Sequence, residues 1–131
     1  MTARHLEAAV ATTPLVAVYG TLKQGLNNAH WLSTATRLGG DTCTALTLYD
    51  IGPYPGAKWQ ASCGISLEVY RVTASQLAHL DALEDHRHEA PEQGEYQRQL
   101  LTTRFGKAWV YIYNPSVDGR VMIAEGGWPP Q

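Results

Sequence analysis

The sequence predicts an α+β domain, a small curled sheet or barrel with helices laid on it. Three observations lead there. Glycine (12) and proline (7) interrupt the 131 residues too often for a helical bundle. Five or six short segments carry strand character, as continuous apolar runs or as period-2 alternation. Between them, a segment with apolar residues at three-residue spacing reads as an amphipathic helix.

Taken in order, residues 1–13 read as a loose N-terminal tail ahead of a single domain at 14–131. Pro14 opens Leu15, Val16, Ala17, Val18 and Tyr19, a continuous, partly β-branched run that suits a strand buried on both faces. Gly20 and Thr21 end it. Lys23 to Gly25 and Asn27-Asn28 supply turn chemistry and a cap for a short helix over 29–32. Residues 36–51 are strand-like through Leu38, Cys43, Leu46, Leu48 and Ile51, with a bend or bulge at Gly39-Gly40-Asp41. Gly52-Pro53-Tyr54-Pro55-Gly56 is expected to continue no ladder. Over 62–72, Cys63, Ile65, Leu67 and Val69 alternate with Gly64, Ser66, Glu68 and Tyr70. The period then changes: Thr73 or Ser75 can cap a helix that carries Leu77, Leu80 and Leu83 on one face. Residues 85–94 contain Pro91 and Gly94 and read as a surface loop bringing His86, Arg87 and His88 together. Residues 96–105 and 107–113 form an expected hairpin about Gly106. Val121, Met122 and Ile123 make a last apolar segment before a Gly126-Gly127 and Pro129-Pro130 stop.

Composition removes several classes of function. An apolar share of 44% and a charged share of 17% are those of an ordinary globular protein. Ten Lys and Arg against twelve Asp and Glu give a formal charge of −2, which leaves no positive excess to hold nucleic acid. Apolar runs fall far short of the roughly twenty residues of a membrane span, so no membrane partner is expected. The apolar stretch 8–11 is likewise shorter than the ~7–15 residues of a signal-peptide core. Cys43 and Cys63 form no Cys-x-x-Cys pair. Reduced thiols and a cytoplasmic location are therefore expected.

The signatures of the common nucleophile, phosphate, dinucleotide and zinc sites are absent: there is no Gly-x-Ser-x-Gly, Walker loop, Gly-x-Gly-x-x-Gly or His-Glu-x-x-His. The most informative segment is Val18-Tyr19-Gly20-Thr21-Leu22-Lys23-Gln24-Gly25. A buried strand that stops there leaves successive backbone N–H groups unpaired, and Gly20 has no Cβ to hold a ligand away. Such a turn can hold a carboxylate. The alternative is that Gly20 and Gly25 only bend the chain between strand and helix.

That turn, with Gly25 and Asn28, is followed by Leu80-Asp81-Ala82-Leu83-Glu84, by Tyr96-Gln97-Arg98 and by Ala108-Trp109-Val110-Tyr111. Together, over residues 15–128, these resemble the gamma-glutamylcyclotransferase-like family, its small bacterial branch in particular. The resemblance implies a small mixed β-barrel with flanking short helices and a cavity bordered by the Tyr-Gly-Thr-Leu turn. It implies that Tyr19, Gly20, Thr21 and Leu22 bind the α-amino-acid end of a gamma-glutamyl group. By the same resemblance Glu84 is the general acid/base and Tyr111 lines the cavity. The implied activity is cyclisation of a gamma-glutamyl amine, or a related small gamma-glutamyl compound, to 5-oxoproline with release of the amine.

Such chemistry agrees with what the chain lacks. The substrate's own α-amine attacks its γ-carbonyl and closes a five-membered lactam, so no protein nucleophile, metal or cofactor is needed. The protein must bend the substrate into a near-attack geometry and move protons. An exposed Glu, with a pKa of ~4.3, is a poor base toward an ammonium, so Glu84 would have to sit in a partly desolvated wall. Leu80 and Leu83 can anchor that end of the helix against the core. The alternative is a solvated Glu at a helix C-terminus. Relatives often follow this Glu with Gly and an aromatic or small residue, whereas here Asp85-His86-Arg87-His88 follows. Asp85 would raise the proton affinity of Glu84 and Arg87 would lower it; the sequence leaves the sign open. Glu95 is the fallback carboxylate.

Other candidates have plainer readings. His79, His86 and His88 with Asp85 offer metal-ligand atoms without a firm spacing, and a solvated loop is the competing account; no metal is expected. Arg98 can bind a substrate carboxylate or form a cross-strand ion pair. Trp31, Trp59, Trp109, Trp128 and the seven tyrosines are expected mostly in the core or cavity wall, and Cys63 as an inert core thiol. A non-catalytic binder of a small metabolite or peptide end on the same fold is the alternative to an enzyme, and an interaction module without a pocket ligand is a third possibility.

Overall fold

The structure, a computed structural model, describes residues 3–23, 25, 26, 28–123 and 128. Gln24 and Asn27 of the expected turn, and the Gly126-Gly127 and Pro129-Pro130 stop, lie outside the described residues. The elements in chain order are α1 (Ala3–Thr12), β1 (Leu15–Val18), a 3-10 turn (Ala29–Leu32), β2 (Thr36–Cys43), β3 (Leu46–Asp50) and β4 (Pro55–Trp59). There follow β5 (Ile65–Arg71), α2 (Ala74–Leu83), a second 3-10 turn (Pro91–Gln93), β6 (Tyr96–Thr103), β7 (Gly106–Tyr113) and β8 (Val121–Ile123).

β1 is the centre of a five-stranded sheet of order β2-β5-β1-β7-β6, antiparallel to β5 and parallel to β7. Its continuous apolar run follows from that position. Leu15 and Ala17 pack with Leu46 and Leu48 of β3 and Leu67 of β5. Val16 and Val18 face the other way, toward Leu6 of α1 and Leu77 and Leu80 of α2. Both faces of the strand are thus dry, and all four residues are buried.

The α+β class stands, but the expected barrel does not form. A second, three-stranded antiparallel sheet of order β4-β3-β8 shares a core with the first, and among the described residues no ladder joins the two or closes either one. The cause is the break after Cys43. Residues 36–51, expected as one bent strand, are two strands of different sheets, so the sheets stack through side chains and each keeps two edges. The irregularity expected at Gly39 is present as a register shift between Arg37 and Gly39.

Two further expectations are corrected. Residues of the supposed loose tail form α1, which docks on α2 by burying Leu6 (8% exposed) among Leu77 and Leu80. The Gly-Pro-Tyr-Pro-Gly segment does enter a ladder: Pro55 pairs with Asp50 and Gly56 with Tyr49, opening β4. β4 is an edge strand, where a proline's missing N–H need cost no ladder bond. Gly56 is there because a Cβ would lie 2.7 Å from Cγ of Tyr113.

α2 begins at a capping box. Thr73 Oγ1 accepts from the N–H of Gln76 (3.2 Å), and the Gln76 side chain accepts from the N–H of Thr73 (2.8 Å). Cys43 is buried, whereas Cys63 is exposed just ahead of β5 and is not the core thiol expected. Trp31 and Trp59 are exposed as well. Among the described residues, no helix is long and apolar enough to cross a membrane.

Candidate active site

The site is built where α2 ends. Its last turn closes in a Schellman arrangement: the N–H of His86 donates to the Asp81 carbonyl (2.8 Å) and that of Asp85 to the Ala82 carbonyl (3.2 Å). Asp85 takes the left-handed conformation, φ 56°, that usually falls to glycine. The reversed chain then travels through the 85–94 loop and returns alongside itself. The N–H of Tyr96 donates to the Glu84 carbonyl (3.2 Å), that of Glu95 to Asp85 Oδ2 (3.0 Å), and that of Arg98 to His86 Nδ1 (3.0 Å). Gly94 makes this approach possible, since a Cβ there would sit 2.0 Å from the Asp85 carbonyl oxygen. Glu84 and Glu95, eleven positions apart in sequence, thereby enter one wall.

That wall belongs to a cavity of about 150 Å³ at the C-terminal end of β1. Tyr19, Gly20, Thr21 and Leu22 form one side, with Asn28 beside them; Tyr54 and Pro55 form another; Leu83, Glu84, Glu95, Tyr96 and Tyr111 complete it. The turn is held internally by the Lys23 N–H to the Gly20 carbonyl (3.0 Å) and the Asn28 N–H to the Thr21 carbonyl (2.8 Å). Asn28 Nδ2 also donates to Thr21 Oγ1 (2.8 Å). Among the described residues, the amides of Gly20, Thr21 and Leu22 find no backbone acceptor. Gly20 has a packing reason as well, because a Cβ would meet Cγ of Pro55 at 3.0 Å.

Phenols brace the walls. Tyr19 donates to the Tyr111 carbonyl (2.6 Å) and accepts from the Ala57 N–H (3.3 Å), and Tyr96 donates to the Pro55 carbonyl (2.6 Å). Tyr54 donates to Glu95 Oε2. Burial, reinforced by the nearby Glu84 charge, raises Tyr19 well above the ordinary phenol range; burial also raises Tyr96 and Tyr111. The hydrogen bond to Glu95 pushes Tyr54 up to about 12. All four therefore stay protonated donors near neutrality.

Glu84 is a carboxyl that the cavity wall perturbs. Loss of hydration in the cavity wall, followed by the Glu95 charge, lifts its carboxyl from 4.5 to about 7. The question left open by the sequence is answered by neither Asp85 nor Arg87. Those two side chains pair with each other in solvent (Nε to Oδ1 3.2 Å), which holds Asp85 low, and the neighbour that acts on Glu84 is Glu95.

Of the residues singled out from sequence, Tyr19, Gly20, Thr21, Leu22, Glu84 and Tyr111 converge on the cavity, and Arg98 does not. Its guanidinium is buried in a two-pronged pair with Asp81 (2.8 and 3.1 Å), over the Trp109 ring. Asp81 Oδ1 also accepts from the Tyr111 hydroxyl (2.6 Å). Arg98 thus pairs across to α2 rather than across strands, and it supports the wall from behind. His86 is occupied by the Arg98 amide, His88 stacks on His5, and His79 lies by Trp31; among the described residues no three His, Cys, Asp or Glu side chains group as metal ligands would. Of the tyrosines, expected in the core or cavity wall, Tyr54 and Tyr96 line the cavity; Pro55, which also lines it, was not singled out. The clue to Tyr54 was an aromatic set between two prolines, which rigidify the turn that presents it.

Comparison with known proteins completes the description. Residues 16–130 match the family described as gamma-glutamyl cyclotransferase, AIG2-like. The chain belongs to this family. It is 40% identical over 111 residues to the gamma-glutamylcyclotransferase family protein YtfP of Escherichia coli K12, spanning 85% of this chain and 92% of that protein. The solution NMR structure of ytfP from Escherichia coli superposes with a TM-score of 0.68 at 41% identity, over 88% of this chain and 96% of that one. The gamma-L-glutamyl-butirosin B gamma-glutamyl cyclotransferase of Niallia circulans is 31% identical over 108 residues, 77% of this chain and 67% of that protein. Membership of the gamma-glutamyl cyclotransferase, AIG2-like family places the chain among enzymes, as the resemblance implied.

Proposed function

We propose that the protein cyclises small gamma-glutamyl amines to 5-oxoproline, with Glu84 as general acid/base and the Tyr19–Leu22 turn as the clamp for the α-carboxylate. The observation that carries this reading is the Glu84 carboxyl, lifted to about 7 in the wall of the cavity that this turn borders. The cavity has the scale of one small metabolite, and among the described residues no cationic side chain lines it. Backbone N–H groups are then the natural partners of a substrate carboxylate, and the two glutamates suit its α-ammonium.

Ionised Glu84 takes a proton from the α-ammonium. The freed amine nitrogen attacks the γ-carbonyl carbon and forms the lactam C–N bond. Glu84 then gives its proton to the departing nitrogen as the original C–N bond breaks; the second proton that the attacking nitrogen sheds to become the lactam N–H passes by the same carboxylate to the released amine, so the products are 5-oxoproline and an ammonium ion and Glu84 ends as a carboxylate. A carboxyl that titrates near 7 suits both transfers, because neither protonation state is scarce at neutral pH. Tyr111, Tyr19 and Tyr96 keep the pocket's shape, and folding the substrate into it supplies the near-attack geometry.

The test is release of 5-oxoproline from a panel of gamma-glutamyl amines that differ in the leaving amine. Turnover in the wild type, reduced at least about 10²-fold in Glu84→Gln, is expected. Turnover retained within a few fold in that variant would remove Glu84 from the chemistry. Saturable binding without turnover in the wild type would instead make the protein a metabolite binder.

A further inference from the structure

We propose that Glu95 is a positioning residue for Glu84, a second carboxylate locked into the same cavity wall whose negative charge makes Glu84 a stronger base toward the substrate's ammonium. This rests on the acid/base reading of Glu84 above. It goes beyond that reading by giving a role to a residue that is neither on the turn nor in the Leu-Asp-x-x-Glu segment.

The geometry is specific. Glu95 is fixed at three points: its N–H donates to Asp85 Oδ2 (3.0 Å), its carbonyl accepts from the N–H of Asn114 (2.9 Å), and its carboxylate accepts from Tyr54. The next residue, Tyr96, is tied by its N–H to the Glu84 carbonyl (3.2 Å). The backbone carrying one carboxylate is therefore anchored directly to the backbone carrying the other. Asn114 holds the far side of the loop as well, its Nδ2 donating to the carbonyls of Pro91 (2.6 Å) and Gly94 (2.9 Å). Both carboxylates are thereby brought into the lining of one cavity.

Among the described residues, the groups facing Glu84 from each packed element leave Glu95 as the sole charged neighbour in the cavity lining. β1 and its turn present Tyr19, the start of β4 presents Tyr54, β6 presents Tyr96, and β7 presents Tyr111. These are neutral phenols at the relevant pH. Asp81 and Arg98 neutralise each other behind Tyr111, and Asp85 and Arg87 pair in solvent.

The decisive experiment is a carboxyl-carbon NMR titration of protein labelled with ¹³C at Glu Cδ, with the Glu84 resonance assigned by its loss in Glu84→Gln. Glu95→Gln keeps an acceptor for Tyr54 and leaves the backbone anchors in place while removing the charge. In that variant the Glu84 midpoint is expected to fall below about 7 and to stay above 4.5, since burial persists. Glu95→Asp retains the charge one methylene further back, and its midpoint should lie between those of wild type and Glu95→Gln. It also serves as the test variant should Glu95→Gln fail to fold. The acid limb of kcat/KM should move in parallel. An unchanged Glu84 midpoint in both variants would overturn the proposal. So would a raised KM with an unmoved acid limb, which would make Glu95 a substrate contact. Because the titration needs no substrate, a wild type that turns over no gamma-glutamyl amine would count against the proposed activity and leave the coupling of the two carboxylates separately decided.

Discussion

Replacing Glu84 by glutamine should make the protein more stable while disabling it, and the gain should depend on pH in a way the cavity dictates. A carboxyl that titrates at 4.5 in the unfolded chain and about 7 in the fold is held in an environment that resists its charge. At about 1.4 kcal/mol per pH unit, that difference corresponds to roughly 3 kcal/mol once Glu84 is ionised. The sign follows from proton linkage. The folded-state value is the higher one, so between 4.5 and about 7 the folded protein binds more protons than the unfolded chain, and stability falls as pH rises through this window. Below it both states are protonated and Glu84 contributes no pH dependence. Glutamine resembles the protonated acid in shape and is never charged, so Glu84→Gln should match wild type near pH ~4 and exceed it by up to about 3 kcal/mol near pH ~8.5. Urea denaturation of both proteins at the two pH values, at constant ionic strength, measures the difference directly. A gap that is the same at both pH values, or a variant less stable than wild type at the higher one, would refute the desolvated placement of Glu84.

Three further outcomes follow from contacts elsewhere. Gly94→Ala forces a Cβ to within 2.0 Å of the Asp85 carbonyl oxygen, and backbone on both sides cannot yield, so a loss of about 2 kcal/mol or more is expected in urea; a loss under about 0.5 kcal/mol would show that the loop relaxes freely. Asp81→Ala leaves the Arg98 guanidinium buried without its partner and should cost about 3–5 kcal/mol by the same assay, whereas a loss below about 1 kcal/mol would mean that water reaches Arg98. Thr73→Ala removes one half of the α2 capping box and should cost about 1 kcal/mol, read as a lower urea midpoint at unchanged slope; an unmoved midpoint would deny the cap its role.

The parts of the fold that could be read from sequence are those in which local pattern and tertiary environment agree. β1 announced its two buried faces by an unbroken apolar run, and α2 by its cap and its Leu77 and Leu80 spacing. The hairpin of β6 and β7 was legible as two strand-like runs meeting at Gly106. β4 was not, because Pro55 and Gly56 oppose strand formation locally; an edge position and the Tyr113 ring decide the matter. α1 was missed because a short alanine-rich segment has little to declare: Leu6 forms its anchor, and the surface it docks on belongs to residues seventy positions away. The barrel was a wrong inference from strand content, since nothing in residues 36–51 distinguishes one bent strand from two strands that change sheets. In the site, the turn and Glu84 were visible as a motif. The carboxylate pair was only half visible, because the left-handed Asp85 and the close fit of Gly94 that fold the loop back are properties of the backbone.

In the proposed mechanism Glu84, shielded in the cavity wall, carries the proton during lactam formation. The pH dependence of kcat/KM for 5-oxoproline release by the wild type tests it most directly. Activity should rise with pH along an acid limb whose midpoint lies at about 7, the value at which Glu84 gives up its proton. A limb centred near 4.5, the value of an ordinary hydrated glutamate, would contradict it.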